Sequence, residues 1–169
     1  HAPLDIDIYF THTHLDHISG LTFFAPLFER RNSVRMWAGH LEAPYTLKKV
    51  VGHLMQAPLY PVSLEIFQAA VEFKEFRSGQ SLTSGTVSMR TAPLHHPNGA
   101  TGYRIEHGGK SICYITDTEH HEGKRDEVIV DLCRGADVMI YDCSYTDAEY
   151  PRYRGWGHST WQEGVRIAD

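Results

Sequence analysis

A chain of 169 residues can bury one core and is too short for two comfortable ones, so a single domain spanning residues 1–169 is expected. It is 41% hydrophobic and 22% charged, with 14 Gly and 8 Pro, which excludes disordered, collagenous and coiled-coil classes. Sixteen Lys and Arg against 21 Asp and Glu leave a formal charge of -5, which argues against a long nucleic acid held by bulk attraction. The count that departs from ordinary is 12 His.

No stretch approaches the roughly eighteen uncharged apolar residues that cross a bilayer, and the opening residues lack a signal peptide's basic start and cleavage site. A soluble chain with no membrane partner is expected. Cys113, Cys133 and Cys143 form no C-x-x-C pair, so a reducing, cytoplasmic setting is expected, with all three thiols as core filler.

Taken in order, Ile6, Ile8 and Phe10 alternate with Asp5, Asp7 and Tyr9, a strand that stops at the polar cluster 11–17. Residues 34–38 form a second short apolar run. Leu47, Val50, Val51 and Leu54 have helical spacing within 45–55, and the proline-rich segment after them ends that helix. Strands are predicted around Val71, Phe73 and Phe76 and over 86–92, then a hairpin, 103–106 and 112–116, turning at Gly108-Gly109. A helix over 126–133, a buried strand over 137–141 and a helix over 160–168 with Ser159 as its N-cap complete the chain. Helices between strands point to an α/β chain with helices layered on sheet. The chain opens almost on a strand and stops inside a helix, so both ends read as cuts through a longer domain.

The sharpest signal is His12-Thr13-His14-Leu15-Asp16-His17, placed where the first strand ends. A loop can fold three imidazoles and a carboxylate toward one point, as metal ligation needs. His95 and His96 follow the strand over 86–92, Asp117 follows the run 112–116, and His158 precedes a helix. Four separated segments thus each deliver a ligand-type side chain at the end of an element, which is how open α/β architectures build active sites.

This set resembles the metallo-β-lactamase fold hydrolases. H-x-H-x-D-H, a later His and an Asp closing a strand occur in that family's order across nearly the whole chain. His96-Pro97 leading to Gly102-Tyr103, with Gly157-His158-Ser159-Thr160, is most similar to the phosphodiesterase and tRNase Z-like branch. The resemblance implies a four-layer αββα sandwich with two divalent ions, usually zinc. Manganese and iron suit the same donors. It implies His12, His14 and His96 on one ion, Asp16 and His17 on the other, and Asp117 bridging both. His96 is chosen over His95 for its place before Pro97 and Gly102, leaving His95 a supporting residue. His158 becomes a catalytic acid, with metal ligation as second choice, and Asp16 orients the nucleophile. Two parts of the family pattern are missing from this sequence: an earlier pair of strands and a final His ligand.

The activity implied is a metal-dependent phosphodiesterase using a metal-bridging hydroxide on small or cyclic phosphodiesters. The resemblance argues against β-lactams, since Asp117 stands where many such enzymes carry Cys. It also argues against tRNA, because the 20 residues between His96 and Asp117 leave no RNA-clasping arm. A thioesterase or lactonase on the same scaffold is the alternative enzyme, and a non-catalytic metal-binding module is the alternative outside enzymes. A homo-oligomer is left open. Arg152, Arg154 and Trp156 could hold a phosphate and stack a base, and Asp142, Tyr145 and Asp147 could support ligating imidazoles.

Overall fold

The computed structural model describes residues 2–169, which divide after Phe76 into two compact units, each with its own sheet and apolar core.

In the first unit, β1 (Asp5–Phe10), β2 (Ser33–Ala38) and β3 (Ala70–Glu75) pair in parallel in that order. The period of two puts Ile6, Ile8 and Phe10 in register with Val34, Met36 and Ala38, so one face is apolar. Val34 and Met36, on the central strand, are fully buried with Leu27, Leu47 and Val51. The other face is polar: Arg35 donates to Asp7 at 2.7 and 3.1 Å and to Asp5 at 2.6 Å, and Trp37 Nε1 donates to Asp7 at 2.8 Å. A slip of one residue would invert both faces, so the register is strongly specified.

The predicted helix over 45–55 is α2 (Leu47–Leu54), because Thr46 stays extended and its side chain accepts from Lys49 N. The Glu75 carboxylate takes the Leu47 N–H at 2.8 Å, tying the helix start to the end of β3. The polar cluster is not all loop: α1 (Leu15–Ile18) is a single helical turn holding Asp16 and His17.

The second unit is a five-stranded sheet, β4 (Ser81–Ser84), β5 (Val87–Leu94), β6 (Ala100–His107), β7 (Lys110–Ile115) and β8 (Val138–Tyr141), in chain order. The first four strands run antiparallel; β8 joins β7 in parallel after a crossover through α3 (Glu127–Cys133). Gly108 and Gly109, at φ +57° and +74°, make the expected tight hairpin turn. β4 escapes sequence reading because SLTS is a polar edge strand with little alternation. α3 is capped by Asp126, which accepts from Val128 N and Ile129 N at 3.0 and 3.2 Å.

Three expectations are corrected. β8 is an edge strand rather than a buried one: Met139 and Tyr141 pack on the core, but Val138 and Ile140 are about half exposed. The last helix, α4 (Trp161–Ala168), is capped by Thr160, whose Oγ1 accepts from Glu163 N; the Ser159 hydroxyl is taken up by His120 and Tyr141. Cys113 is buried as core filler, but Cys143 is exposed and Cys133 half-buried. The core of this unit is Ala92, Leu94, Ala100, Ile115, Ile129, Val130, Leu132 and Ile167. Among the described residues no helix is long and apolar enough to cross a membrane.

Candidate functional site

In the first unit, β1 ends at Phe10 and delivers His12 at the carboxyl end of a parallel strand. His12 is 1% exposed, and the His14 and His17 rings lie with centroids 4.6 and 4.1 Å from its own. The backbone explains the gathering. His14 is extended, and the His17 N–H returns to the His14 carbonyl at 3.0 Å, so the single turn of α1 swings His17 back over His12. Asp16 projects outward with its side chain 77% exposed, its carboxylate 3.3 Å from His17 Nε2.

Sequence reasoning missed His40, which follows β2 as His12 follows β1; that position was the available signal. Its Nε2 meets Thr13 Oγ1 at 3.1 Å, and burial, then the neighbouring His14, lowers its pKa to about 4. It is a neutral imidazole bracing the motif loop.

In the second unit, β5 leads into His95 and His96, β7 into Asp117, β8 into Asp142, and His158 stands two residues before α4's cap. The His96 side chain is 2% exposed. Its Nδ1 bonds the Gly157 carbonyl at 2.8 Å, and a carbonyl only accepts, so the proton sits on Nδ1. That leaves the ring's lone pair on Nε2, 3.8 Å from an Asp117 oxygen. His95 is exposed and donates its Nδ1–H to the Glu119 carbonyl at 3.1 Å.

His158 Nδ1 bonds Asp142 Oδ2 at 2.9 Å. The buried Asp142 carboxylate also accepts from Thr118 N, Ser144 N and Ser144 Oγ, so its charge is met by hydrogen bonds. Asp117, Asp142 and His158 each offer a ligand atom within 4.8 Å of the others. Of the three predicted supporters, Asp142 holds an imidazole directly, Tyr145 meets the His158 ring edge-on at 6.2 Å, and Asp147 is engaged by Thr160 and Arg166. Arg154 is ion-paired with Glu122, while Trp156 is 63% exposed and touches Tyr153.

A second missed residue is Glu119. Its carboxylate accepts from Gly155 N at 2.7 Å, Gly157 N at 2.8 Å and the Tyr150 hydroxyl at 3.3 Å. Burial pushes its pKa up, and the two backbone N–H groups with the Tyr150 hydroxyl outweigh that, leaving it below the usual carboxylate range. No sequence signal marks it, because its partners lie more than 30 positions away.

Packed imidazoles in one unit and a carboxylate–imidazole–carboxylate group in the other are the donor types and densities that a divalent ion requires. Residues 2–169 match a family model described as the beta-lactamase superfamily domain. A ribonuclease Z of Gemmatimonas aurantiaca is 25% identical over 203 residues, covering 96% of this chain and 64% of that protein. The metallo-β-lactamase fold protein YhfI of Bacillus subtilis superposes with a TM-score of 0.68 at 18% identity, over 96% of this chain and 59% of that one. A diphosphatase from the PhnP family gives a TM-score of 0.65 at 24% identity, over 96% and 54%. The chain therefore spans about two thirds or less of the length of these proteins.

Proposed function

Since the chain belongs to the beta-lactamase superfamily domain family and takes the metallo-β-lactamase fold, we propose that it serves a metal-dependent hydrolase that cleaves small or cyclic phosphodiesters. The names of the ribonuclease Z and diphosphatase relatives support phosphoryl chemistry. The formal charge of -5 supports a small substrate over a long nucleic acid. The residues that would hold two divalent ions are His12, His14 and His96 for one, Asp16 and His17 for the other, and Asp117 for both. Zinc is the first choice, with manganese and iron suited to the same donors. Bound there, such ions supply an acidified water and polarise the phosphoryl oxygen.

The chain's own residues do the rest. Gly157 holds His96 in the Nδ1–H tautomer that ligation through Nε2 needs. Asp142 does the same for His158, accepting from its Nδ1 and so fixing the ring's orientation, from which a protonated ring would give its Nε2–H to a departing oxygen. Asp16, exposed at the start of α1, would orient the attacking water by accepting its hydrogen bond.

The observation that carries this reading is the 2.9 Å His158–Asp142 pair within the same group as Asp117. An alkoxide leaves a phosphodiester poorly without a proton, whereas the thiolate of a thioester needs none. The test is to assay the metal-reconstituted protein in parallel on bis-p-nitrophenyl phosphate, cyclic nucleotides, a thioester and a lactone. Turnover of the phosphodiesters is expected, and His158→Ala should lower it by about 10²–10⁴ on cyclic nucleotides, whose leaving group is an alkoxide, and far less on bis-p-nitrophenyl phosphate, without changing metal content. Turnover of carbonyl substrates alone would overturn the reading. So would fewer than two ions bound together with no turnover, the outcome expected of a metal-binding module.

A further inference from the structure

We propose that Glu119 is a positioning residue: by clamping the Gly155–Trp156–Gly157 turn, its carboxylate sets the Gly157 carbonyl that fixes the tautomer and orientation of His96. The inference rests on the ligand role given to His96 above.

Glu119 is 9% exposed, two residues after Asp117. One carboxylate oxygen takes the Gly155 N–H at 2.7 Å and the other the Gly157 N–H at 2.8 Å, so the turn is gripped on both sides of Trp156. Tyr150, at the start of the same loop, adds its hydroxyl at 3.3 Å and ties it to the His120 carbonyl at 2.5 Å. The Gly157 residue thus donates its N–H to Glu119 and accepts from His96 Nδ1 at 2.8 Å. The Glu119 main chain reaches the neighbouring ligand segment as well, its N–H bonding the His95 carbonyl at 2.7 Å and its carbonyl accepting from His95 Nδ1. One residue therefore joins the loop before His158 to the strand end that carries His96.

A buried carboxylate is costly to desolvate and is retained where its hydrogen bonds are specific. Here the backbone N–H groups of Gly155 and Gly157 and the Tyr150 hydroxyl all come from one loop, and that loop needs holding. Gly155 and Gly157 sit at φ +84° and +82°, with no side chain to anchor the turn. Partners that orient a ligating imidazole typically govern metal affinity by 10–100-fold.

The experiment compares wild type with Glu119→Gln and Glu119→Asp. The His96 ring nitrogens are read by long-range ¹H–¹⁵N correlation in metal-free protein, and zinc affinity by chelator competition. Glu119→Gln replaces one acceptor oxygen by an NH₂ that faces a backbone N–H. It should mix the His96 tautomers and weaken zinc binding by about 10–100-fold. Glu119→Asp keeps the charge but cannot reach both N–H groups, and should show the same change to a lesser degree. Folded variants with wild-type His96 signals and zinc affinity would overturn the proposal. Should both variants unfold, amide exchange in wild type decides: protection of Gly155 and Gly157 is expected, and free exchange of either overturns it. Neither the tautomer nor the exchange measurement uses turnover, so a chain that hydrolyses nothing would sink the hydrolase reading while leaving this one to its own result.

Discussion

Gly157 lies against His96 so closely that a Cβ there would run into the imidazole Nδ1 and into Pro97 Cδ, and its φ of +82° is one that side chains rarely adopt. Glycine is thus required at this position for two separate reasons, space and backbone conformation.

Gly157→Ala should therefore destabilise the protein by about 1–3 kcal/mol from backbone strain alone and release His96 from its hydrogen bond. Urea unfolding reads the first effect and zinc affinity the second. Unchanged zinc affinity in the folded variant would show that the Gly157 carbonyl does not govern His96.

Asp142→Asn preserves shape but removes the charge behind His158 and permits the wrong ring tautomer. A drop in kcat of about 10²–10⁴ with little change in KM is expected on a phosphodiester with an alkoxide leaving group. A variant that loses substrate affinity at constant kcat would assign Asp142 to binding.

Arg104 closes the C-terminal end of α3 from β6, donating to the carbonyls of Leu132 at 3.2 Å and Arg134 at 2.8 Å. Replacing it with Met keeps much of the packing but strands the Arg134 carbonyl and leaves that of Leu132 to the Cys113 thiol, at a cost of about 1–3 kcal/mol. The midpoint of urea unfolding checks the figure, and a stability equal to wild type would contradict it.

The Lys110 ammonium, with the Ser111 backbone N–H, holds the Asp137 carboxyl down at about 2 from its ordinary 3.8. A depressed carboxyl stabilises the folded chain above its unfolded pKa, and that contribution fades as pH falls from about 4 toward 2. The urea midpoints of wild type and Asp137→Asn should differ at neutral pH and converge over that interval. A gap that stays constant would mean that the side chain acts by packing and not by charge. The pair is exposed, so high salt should narrow the gap too.

Much of this was legible in the chain itself. Strict alternation of Ile6, Ile8 and Phe10 with polar residues specified β1 and its buried face, and Gly108-Gly109 specified the hairpin, because period and turn chemistry are local properties. The H-x-H-x-D-H cluster and the ligand-type residues after strand ends also needed no coordinates, since residue type and spacing carry them. β4 and the edge character of β8 were hidden, because whether a short run is central or peripheral depends on which strands pair with it.

What only the tertiary structure decided is which groups hold the chemical ones in place. Nothing near Glu119 in sequence announces that its carboxylate grips backbone N–H groups at 155 and 157, and Asp142 meets His158 across 16 positions. Such partners are chosen by distance in space, and a hydrogen bond to a backbone amide leaves no mark on the residue that donates it. The sequence by itself could name donors for a metal and an acid; the folding of distant loops onto one another determined which ring nitrogen of His96 and His158 carries the proton.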